Sequence, residues 1–244
     1  MLTDNIIEIF SSIQGEGKYV GCRQVFVRFE GCNLHCSYCD TEKEPGKHSV
    51  CHAETGAGNR GFMDLPNPLT VDEVASHVNA MLREVPHQAV SFTGGEPLLH
   101  AKFIEEIGPM LQVPIMLETN GTLWQEMERL ADVASIVSMD IKLPSVTGTE
   151  EWDNHSRFLQ AARDLDLYIK LVVSAETTDE EFQRAVQLVA MHAPDKLFIL
   201  QPVTPNEACH AASPERVLYL QNLALQSLDD VRVIPQTHKI MGQM

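Results

Sequence analysis

The sequence predicts an α/β chain whose core is a partial, open barrel of about six strand–helix repeats, a TIM-like (β/α)6 arrangement. Short apolar runs alternate with helix-patterned stretches from residue 70 onward, the order that a parallel sheet requires. The residues able to do chemistry fall just after the carboxyl ends of those runs, at 32–39, 93–96, Glu118, 140–142, Gln201 and His238. A β/α barrel builds its site from those strand-to-helix loops, and its complete form has eight repeats, which this chain does not reach. A doubly wound open sheet also carries its site at strand ends, and the pattern leaves that alternative open.

Residues 6–10, Ile-Ile-Glu-Ile-Phe, are mostly apolar and read as a short edge strand. Gln14-Gly15-Glu16-Gly17 follows, either an ordinary turn or a loop where glycine lets the backbone approach a ligand closely. In 24–30, Val25, Val27 and Phe29 share one face, and Phe26, Arg28 and Glu30 share the other. A charge on a buried strand is costly unless paired. Arg28 therefore either pairs with Glu30 or another acid, or awaits an anionic ligand. Residues 42–69 carry Pro45-Gly46, Gly56, Gly58, Gly61, Pro66 and Pro68, all loop signals. They read as an irregular exposed insertion, of a kind often used as a lid, within a single domain spanning 1–244. His48, Cys51 and His52 make a second metal site there the alternative.

Thr70 and Glu73 form a capping box that opens a helix with Val74, Val78 and Met81 on one face. Strand 89–92 runs into Thr93-Gly94-Gly95-Glu96-Pro97. A helix with Phe103, Ile104, Ile107 and Leu111 comes next, then strand 114–117. Helix 123–134, strand 136–140, helix 150–166 and strand 168–173 continue the rhythm. Thr178 and Glu181 cap a helix containing Phe182, Ala185, Val186 and Val189. Strand 197–200 ends at Gln201-Pro202, Ser213-Pro214 opens the last helix with proline at its first position, and strand 231–234 leads to Gln236-Thr237-His238-Lys239.

A length of 244 residues with 44% hydrophobic content supports one sizeable core. No run is long and apolar enough to span a membrane, and the N-terminal residues lack the features of a signal peptide. A formal net charge of −16 disfavours binding to a nucleic-acid backbone. These features fit a soluble cytoplasmic enzyme acting on a small molecule, with no nucleic-acid or membrane partner. Six cysteines in such a chain argue for metal or redox chemistry over a disulfide frame.

Cys32, Cys36 and Cys39 are spaced three then two residues apart, after an apolar run and the turn residue Gly31. Three thiolates on one tight loop can hold three corners of an iron–sulfur cube and leave one iron open to a chelating ligand. A structural zinc site would need a fourth ligand. His35 lies within the loop, where a solvated histidine is the plainer reading. Gly94-Gly95-Glu96 combines close backbone approach with an acceptor for a cation.

The cysteine spacing, Gly94-Gly95-Glu96-Pro97 and Asp140-Ile141-Lys142 together resemble the signature of radical S-adenosylmethionine (SAM) enzymes. The resemblance implies a [4Fe-4S] cluster on Cys32, Cys36 and Cys39, and a SAM amino group at Gly94, Gly95 and Glu96. It places Lys142 near the SAM carboxylate and Asp140 near the ribose. Tyr38, Cys39, Asp40, Ile141, Gln201, Pro202, Val203 and Thr204 would complete the cofactor contacts. In that superfamily one electron from the reduced cluster cleaves the sulfonium bond, and a 5′-deoxyadenosyl radical removes hydrogen from substrate. The radical arises on the cofactor, so no protein catalytic residue is implied.

The flanks narrow the family. Ser12-Ile13-Gln14-Gly15-Glu16-Gly17, Val27-Arg28-Phe29 with Gly31-Cys32-Asn33-Leu34, Cys39-Asp40-Thr41 and the 236–239 stretch are together similar to 7-carboxy-7-deazaguanine synthases. That family contracts the ring of 6-carboxy-5,6,7,8-tetrahydropterin with loss of ammonia, on the route to queuosine and other 7-deazapurines. The similarity implies substrate contacts from Ile13, Gln14, Gly15, Glu16, Arg28, Thr93 and His238, with Arg28 on the carboxylate. It further implies Mg²⁺ at Thr41, an electron donor such as flavodoxin, and a homodimer. The alternatives are a glycyl-radical-enzyme activase, which shares the cysteine spacing, glycine motif and Asp-x-Lys but acts on a protein, and a non-catalytic metal-binding module. The 14–17 loop and the 236–239 end speak against the activase.

Overall fold

The structure, a computed structural model, describes residues 1–39 and 46–243. The chain opens with strands β1 (Thr3–Asp4), β2 (Ile6–Ile13) and β3 (Arg23–Phe29). Then come β4 (Val50–Glu54), β5 (Phe62–Pro66), β6 (Leu69–Thr70) and helix α1 (Val71–Glu84). From there strands and helices alternate: β7 (Ala89–Gly94), α2 (Ala101–Ile107), β8 (Ile115–Thr119), α3 (Trp124–Arg129), β9 (Ile136–Ile141), α4 (Pro144–Thr147) and α5 (Trp152–Ala161). The chain closes with β10 (Asp166–Val173), α6 (Asp179–His192), β11 (Phe198–Pro202), α7 (Pro214–Ala224), β12 (Val231–Val233) and α8 (Thr237–Met241).

Ten strands make one sheet in the order β12-β11-β10-β9-β8-β7-β3-β2-β4-β5. The seven from β12 to β3 run parallel. The helices pack each on the next, α1 on α2, α2 on α3, α3 on α5, α5 on α6 and α6 on α7. They form one layer on one face, as in a β/α barrel, whereas a doubly wound sheet divides its helices between two faces. The sheet's end strands, β12 and β5, do not pair, so the barrel is open.

Local sequence explains the helix starts. Both capping boxes are present, Thr70 with Glu73 and Thr178 with Glu181, and Ser213 caps α7 ahead of Pro214. α1 buries Val71, Val74, Ala75, Val78 and Met81 against the sheet's outer face, where Val25, Val27 and Phe29 lie fully buried. The inner face changes character along the strands. Its lower end is apolar, with Ala89, Met116, Ile136, Tyr168 and Ile199 in one cluster. Two residues further on the same strands come Ser91, Glu118, Ser138, Lys170 and Gln201. Polar side chains therefore gather inside the barrel at the carboxyl ends of the strands.

Several expectations are corrected. β2 is not an edge strand, because it lies between β3 and β4. The 42–69 insertion is not irregular over its whole length. β4 runs beside β2, and β5 pairs with it antiparallel as the outer strand. The β4 pattern, Cys51 and Ala53 buried with His52 exposed, is too short to stand out among flanking glycines and prolines. The three residues read as a second metal site part company: Cys51 is in the core, His52 pairs with Asp64 at 2.7 Å, and His48 pairs with Glu30 at 2.9 Å. α3 and α5 end earlier than their apolar patterns suggest. The backbone leaves helical geometry at Leu130 (φ −92°, ψ 6°) and Ala162 (φ −97°, ψ 0°), and both residues are buried. Among the described residues no helix is long and apolar enough to cross a membrane.

Candidate active site

The cysteine loop leaves β3 through Gly31, whose φ of +87° is a left-handed turn open to glycine. The loop is bolted to its neighbours. Ser37 N–H donates to the Val146 carbonyl at 2.9 Å, Asn33 Nδ2 donates to Thr122 Oγ1 at 2.8 Å, and Asn120 Nδ2 donates to Asn33 Oδ1 at 2.8 Å. Cys32 Sγ accepts from Leu34 N–H at 3.5 Å and from Asn120 Nδ2 at 3.9 Å. All three cysteines line one cavity, while His35 is exposed.

The glycine motif packs against that turn. A Cβ on Gly95 would sit 1.8 Å from the Gly31 carbonyl oxygen and 2.9 Å from Cys32 Cβ, and Glu96 N–H donates to the Gly31 carbonyl at 2.9 Å. Gly95→Ala should therefore push the cysteine loop out of place, lowering thermal stability by about 1–3 kcal/mol and reducing bound iron. Thermal melts and iron analysis check this, and parent values for both would contradict the packing. Glu96 itself stands one layer behind the cavity. It is fully buried and accepts from Thr119 Oγ1 (2.8 Å), Asn120 N–H (2.7 Å) and Leu98 N–H (3.0 Å). Burial raises its pKa. Through Asn120 it braces the cysteine loop.

A chain of charges crosses the cavity. Lys142 Nζ donates to Asp140 Oδ2 at 2.8 Å and to the Tyr38 hydroxyl at 3.1 Å. Burial alone would lower the Lys142 pKa, but the adjacent Asp140 carboxylate holds it well above the usual lysine value. Next to this pair stands Lys170, in contact with Glu16 and 3.9 Å from Asp140 Oδ2. Gln236 Nε2 donates to Glu16 Oε1 at 2.7 Å, and Thr204 Oγ1 donates to Gln236 Oε1 at 2.6 Å. Burial works to raise the Glu16 pKa, but Lys170 overrides it and brings the value to about 2. Glu118 accepts from Gln14 Nε2 (2.8 Å) and Ser91 Oγ (2.7 Å). Arg28 donates through Nε to Glu8 on β2 at 2.6 Å, not to Glu30, whose carboxylate is taken by Asn5, His48 and the N–H groups of Gly46 and Lys47.

The site has two adjoining lobes, with Glu16, Arg28, Thr93, Glu118 and Gln236 in the walls of both. Tyr38, Cys39, Gly94, Gly95, Asp140, Lys142, Gln201, Val203 and Thr204 line the larger one with Cys32 and Cys36. Ile141, expected beside them, is buried in the core, and Pro202 closes β11 without facing the cavity. The smaller lobe is lined by all seven expected substrate residues, Ile13, Gln14, Gly15, Glu16, Arg28, Thr93 and His238. A Cβ on Gly15 would fall 2.1 Å from His238 Nδ1, and the Gly15 carbonyl accepts from Thr237 N–H at 2.9 Å, so glycine is what lets the C-terminal segment dock. Asp40 and Thr41 lie outside the described residues. Sequence reasoning left Lys170, Glu118 and Gln236 without roles. The signal for Lys170 was present, a single charge in the apolar run 167–173.

These residues fit a cluster with SAM bound to it. The larger lobe brings Cys32, Cys36 and Cys39 into one wall with Gly94, Gly95, Asp140 and Lys142, thiolate, open backbone and charged groups on one cavity. Asp140 Oδ1 and Gln201 Oε1 are buried in its wall without a hydrogen-bond partner, a state that costs ~1–3 kcal/mol per group and suits hydroxyl-bearing ligands. Among the described residues no three ligating side chains converge as a single metal ion requires, whereas a cube takes one thiolate at each of the irons the protein holds.

A β/α barrel with three cysteines after its first parallel strand, paired glycines after the second and Asp-x-Lys after the fourth defines a radical SAM enzyme, and the radical SAM superfamily model matches residues 26–189. The chain is 43% identical to the 7-carboxy-7-deazaguanine synthase of Geobacter sulfurreducens, over 97% of this chain and 96% of that one, and 35% identical to that of Methanothermobacter thermautotrophicus with the same coverage. The chain belongs to the 7-carboxy-7-deazaguanine synthase family. Solved structures share its fold: QueE from Escherichia coli (TM-score 0.62, 20% identity, 98% of this chain and 96% of that chain) and a radical SAM methyltransferase from Sphaerobacter thermophilus (TM-score 0.60, 14% identity, 94% and 77%).

Proposed function

We propose that the chain converts 6-carboxy-5,6,7,8-tetrahydropterin to 7-carboxy-7-deazaguanine, with ring contraction and loss of ammonia, in 7-deazapurine biosynthesis. The observation that carries this is a smaller lobe lined by Gln14, Glu16, Arg28, Thr93 and Glu118, the last four of which also line the larger lobe. Arg28 matches a carboxylate with a planar fork, and Gln14, Glu16 and Glu118 match the polar edges of a pterin. Cys32, Cys36 and Cys39 would hold the cluster, the main chain at Gly94 and Gly95 admits the amino acid end of SAM, and Lys142 offers its carboxylate a cation. When bound, the cluster and SAM supply one-electron chemistry that begins with removal of a hydrogen atom from an unactivated carbon. The protein's own part is to orient both ligands and exclude water.

The activase reading is not favoured, since the relatives at 43% and 35% identity are synthases over nearly the whole chain. Thr41 would offer a hydroxyl oxygen to Mg²⁺, the reductant would be a flavodoxin-type donor, and the working unit would be a homodimer. Family resemblance supports these three points.

Anaerobic, reconstituted protein with reductant, SAM and the carboxypterin should form the deazaguanine product, read by mass spectrometry. SAM consumption without substrate turnover would overturn the proposal. Lys142→Met should weaken SAM binding by about ten- to a hundred-fold, the worth of a charged hydrogen bond at ~1.5–3 kcal/mol, and leave iron content at the parent level. Unchanged SAM affinity by calorimetry would reduce Lys142 to a structural partner of Asp140.

A further inference from the structure

Lys170 projects inward from the middle of β10 and is 5% exposed. It lies in the cavity wall rather than in the sealed core, and both of its carboxylate neighbours line the same cavity. Glu16 belongs to the loop that walls the substrate lobe, and Asp140 is the partner of Lys142 in the cofactor lobe. One buried cation thus lies beside a carboxylate from each subsite. We propose that Lys170 is a positioning residue that holds the Glu16 carboxylate in place against the substrate and joins the two ligand subsites through Asp140. This rests on the synthase reading of the site.

A buried ammonium is stable only among anions, and removing it leaves them uncompensated. Lys170 and Tyr168 from β10 and Gln236 and His238 at the C-terminal end act on Glu16, while Asp140 from β9, Glu118 from β8, Arg28 from β3, Thr93 from β7 and Lys239 line the same cavity. With Lys170 gone, Glu16 keeps the Gln236 hydrogen bond but loses its contacting cation. Burial, the largest influence on its pKa, then works to raise it against only the Gln236 hydrogen bond and the charge of His238. Ionisation of Glu16, complete at all working pH in the parent, becomes pH-dependent in the variant, and the lower pH side loses the carboxylate.

The test is calorimetry of 6-carboxytetrahydropterin on anaerobic, iron-loaded, SAM-bound protein without reductant, so that no turnover occurs, repeated from mildly acidic to mildly basic pH. Lys170→Met should bind the pterin about tenfold or more weakly, with affinity falling further on the acid side, while the parent shows no such step. Glu16→Gln should weaken binding to a similar degree without the acid-side step. The double variant should be no worse than the worse single variant, as for residues acting as a unit. Lys170→Arg should recover much of the affinity and the parent's pH behaviour. Parent-like affinity and pH profile in folded Lys170→Met overturn the proposal, as does a lowered melting temperature with unchanged pterin binding. If Lys170→Met does not fold, parent affinity in Glu16→Gln overturns it. A parent that binds SAM but no pterin indicts the synthase reading instead.

Discussion

Cys36→Ala should be isolated without its [4Fe-4S] cluster, with iron and sulfide near background after anaerobic reconstitution and reductive SAM cleavage abolished. Cys32→Ala and Cys39→Ala should behave alike, because the three thiols share one cavity wall and a cube needs a thiolate at each protein-held corner. Substitution of Cys22, Cys51 or Cys209 should leave iron content intact. The thiolate is the ligating form. Cys51 is sealed in the core, where burial pushes its thiol up to about 12. Cys209 packs with Val172 and Val203 beside Tyr38, and burial raises its pKa too. Full iron and sulfide in Cys36→Ala would sink the assignment of the cluster.

Arg28→Ala should lose carboxypterin affinity by about ten- to a hundred-fold, from a charged hydrogen bond worth ~1.5–3 kcal/mol, with SAM affinity nearly unchanged. The structure adds a second contribution. Arg28 is tethered by Nε to Glu8, whose side chain is only 21% exposed, so the truncation leaves a half-buried anion near where the substrate carboxylate would lie. Glu8→Gln removes the anion, keeps the Arg28 cation and an amide oxygen for its Nε to donate to, and should cost less than Arg28→Ala. Arg28→Lys should recover little, because a point charge lacks the bidentate fork. Calorimetry on SAM-loaded protein decides. If Arg28→Ala binds the carboxypterin as tightly as the parent, the synthase reading fails.

Much of the barrel was legible because its signals are short-range. Capping boxes join residues three positions apart, strands alternate over two, and the three cysteines and the Asp-x-Lys pair each lie within a single loop or strand end. The face on which Arg28 lies followed from the same alternation. What escaped was pairing between distant segments. β2 is internal only because β4 crosses the insertion to run beside it, and nothing local in residues 50–54 announces that partner. Glu96 reads as a ligand from its motif, but its carboxylate is consumed by Thr119, Asn120 and Leu98, two of which come from the next strand's end.

By itself, then, the sequence determined the chemistry available: three thiolates to hold a cluster, glycines to admit a cofactor, an arginine facing inward from a strand. The tertiary structure alone decided which charges meet. Glu16 touches Lys170 across 154 positions and Gln236 across 220, and the Gly15 carbonyl accepts from Thr237. Such contacts depend on the strand order and on how far each strand reaches before its polar face begins. Their energy comes from burying charges beside one another, which no stretch of chain encodes until the sheet has brought its strands together.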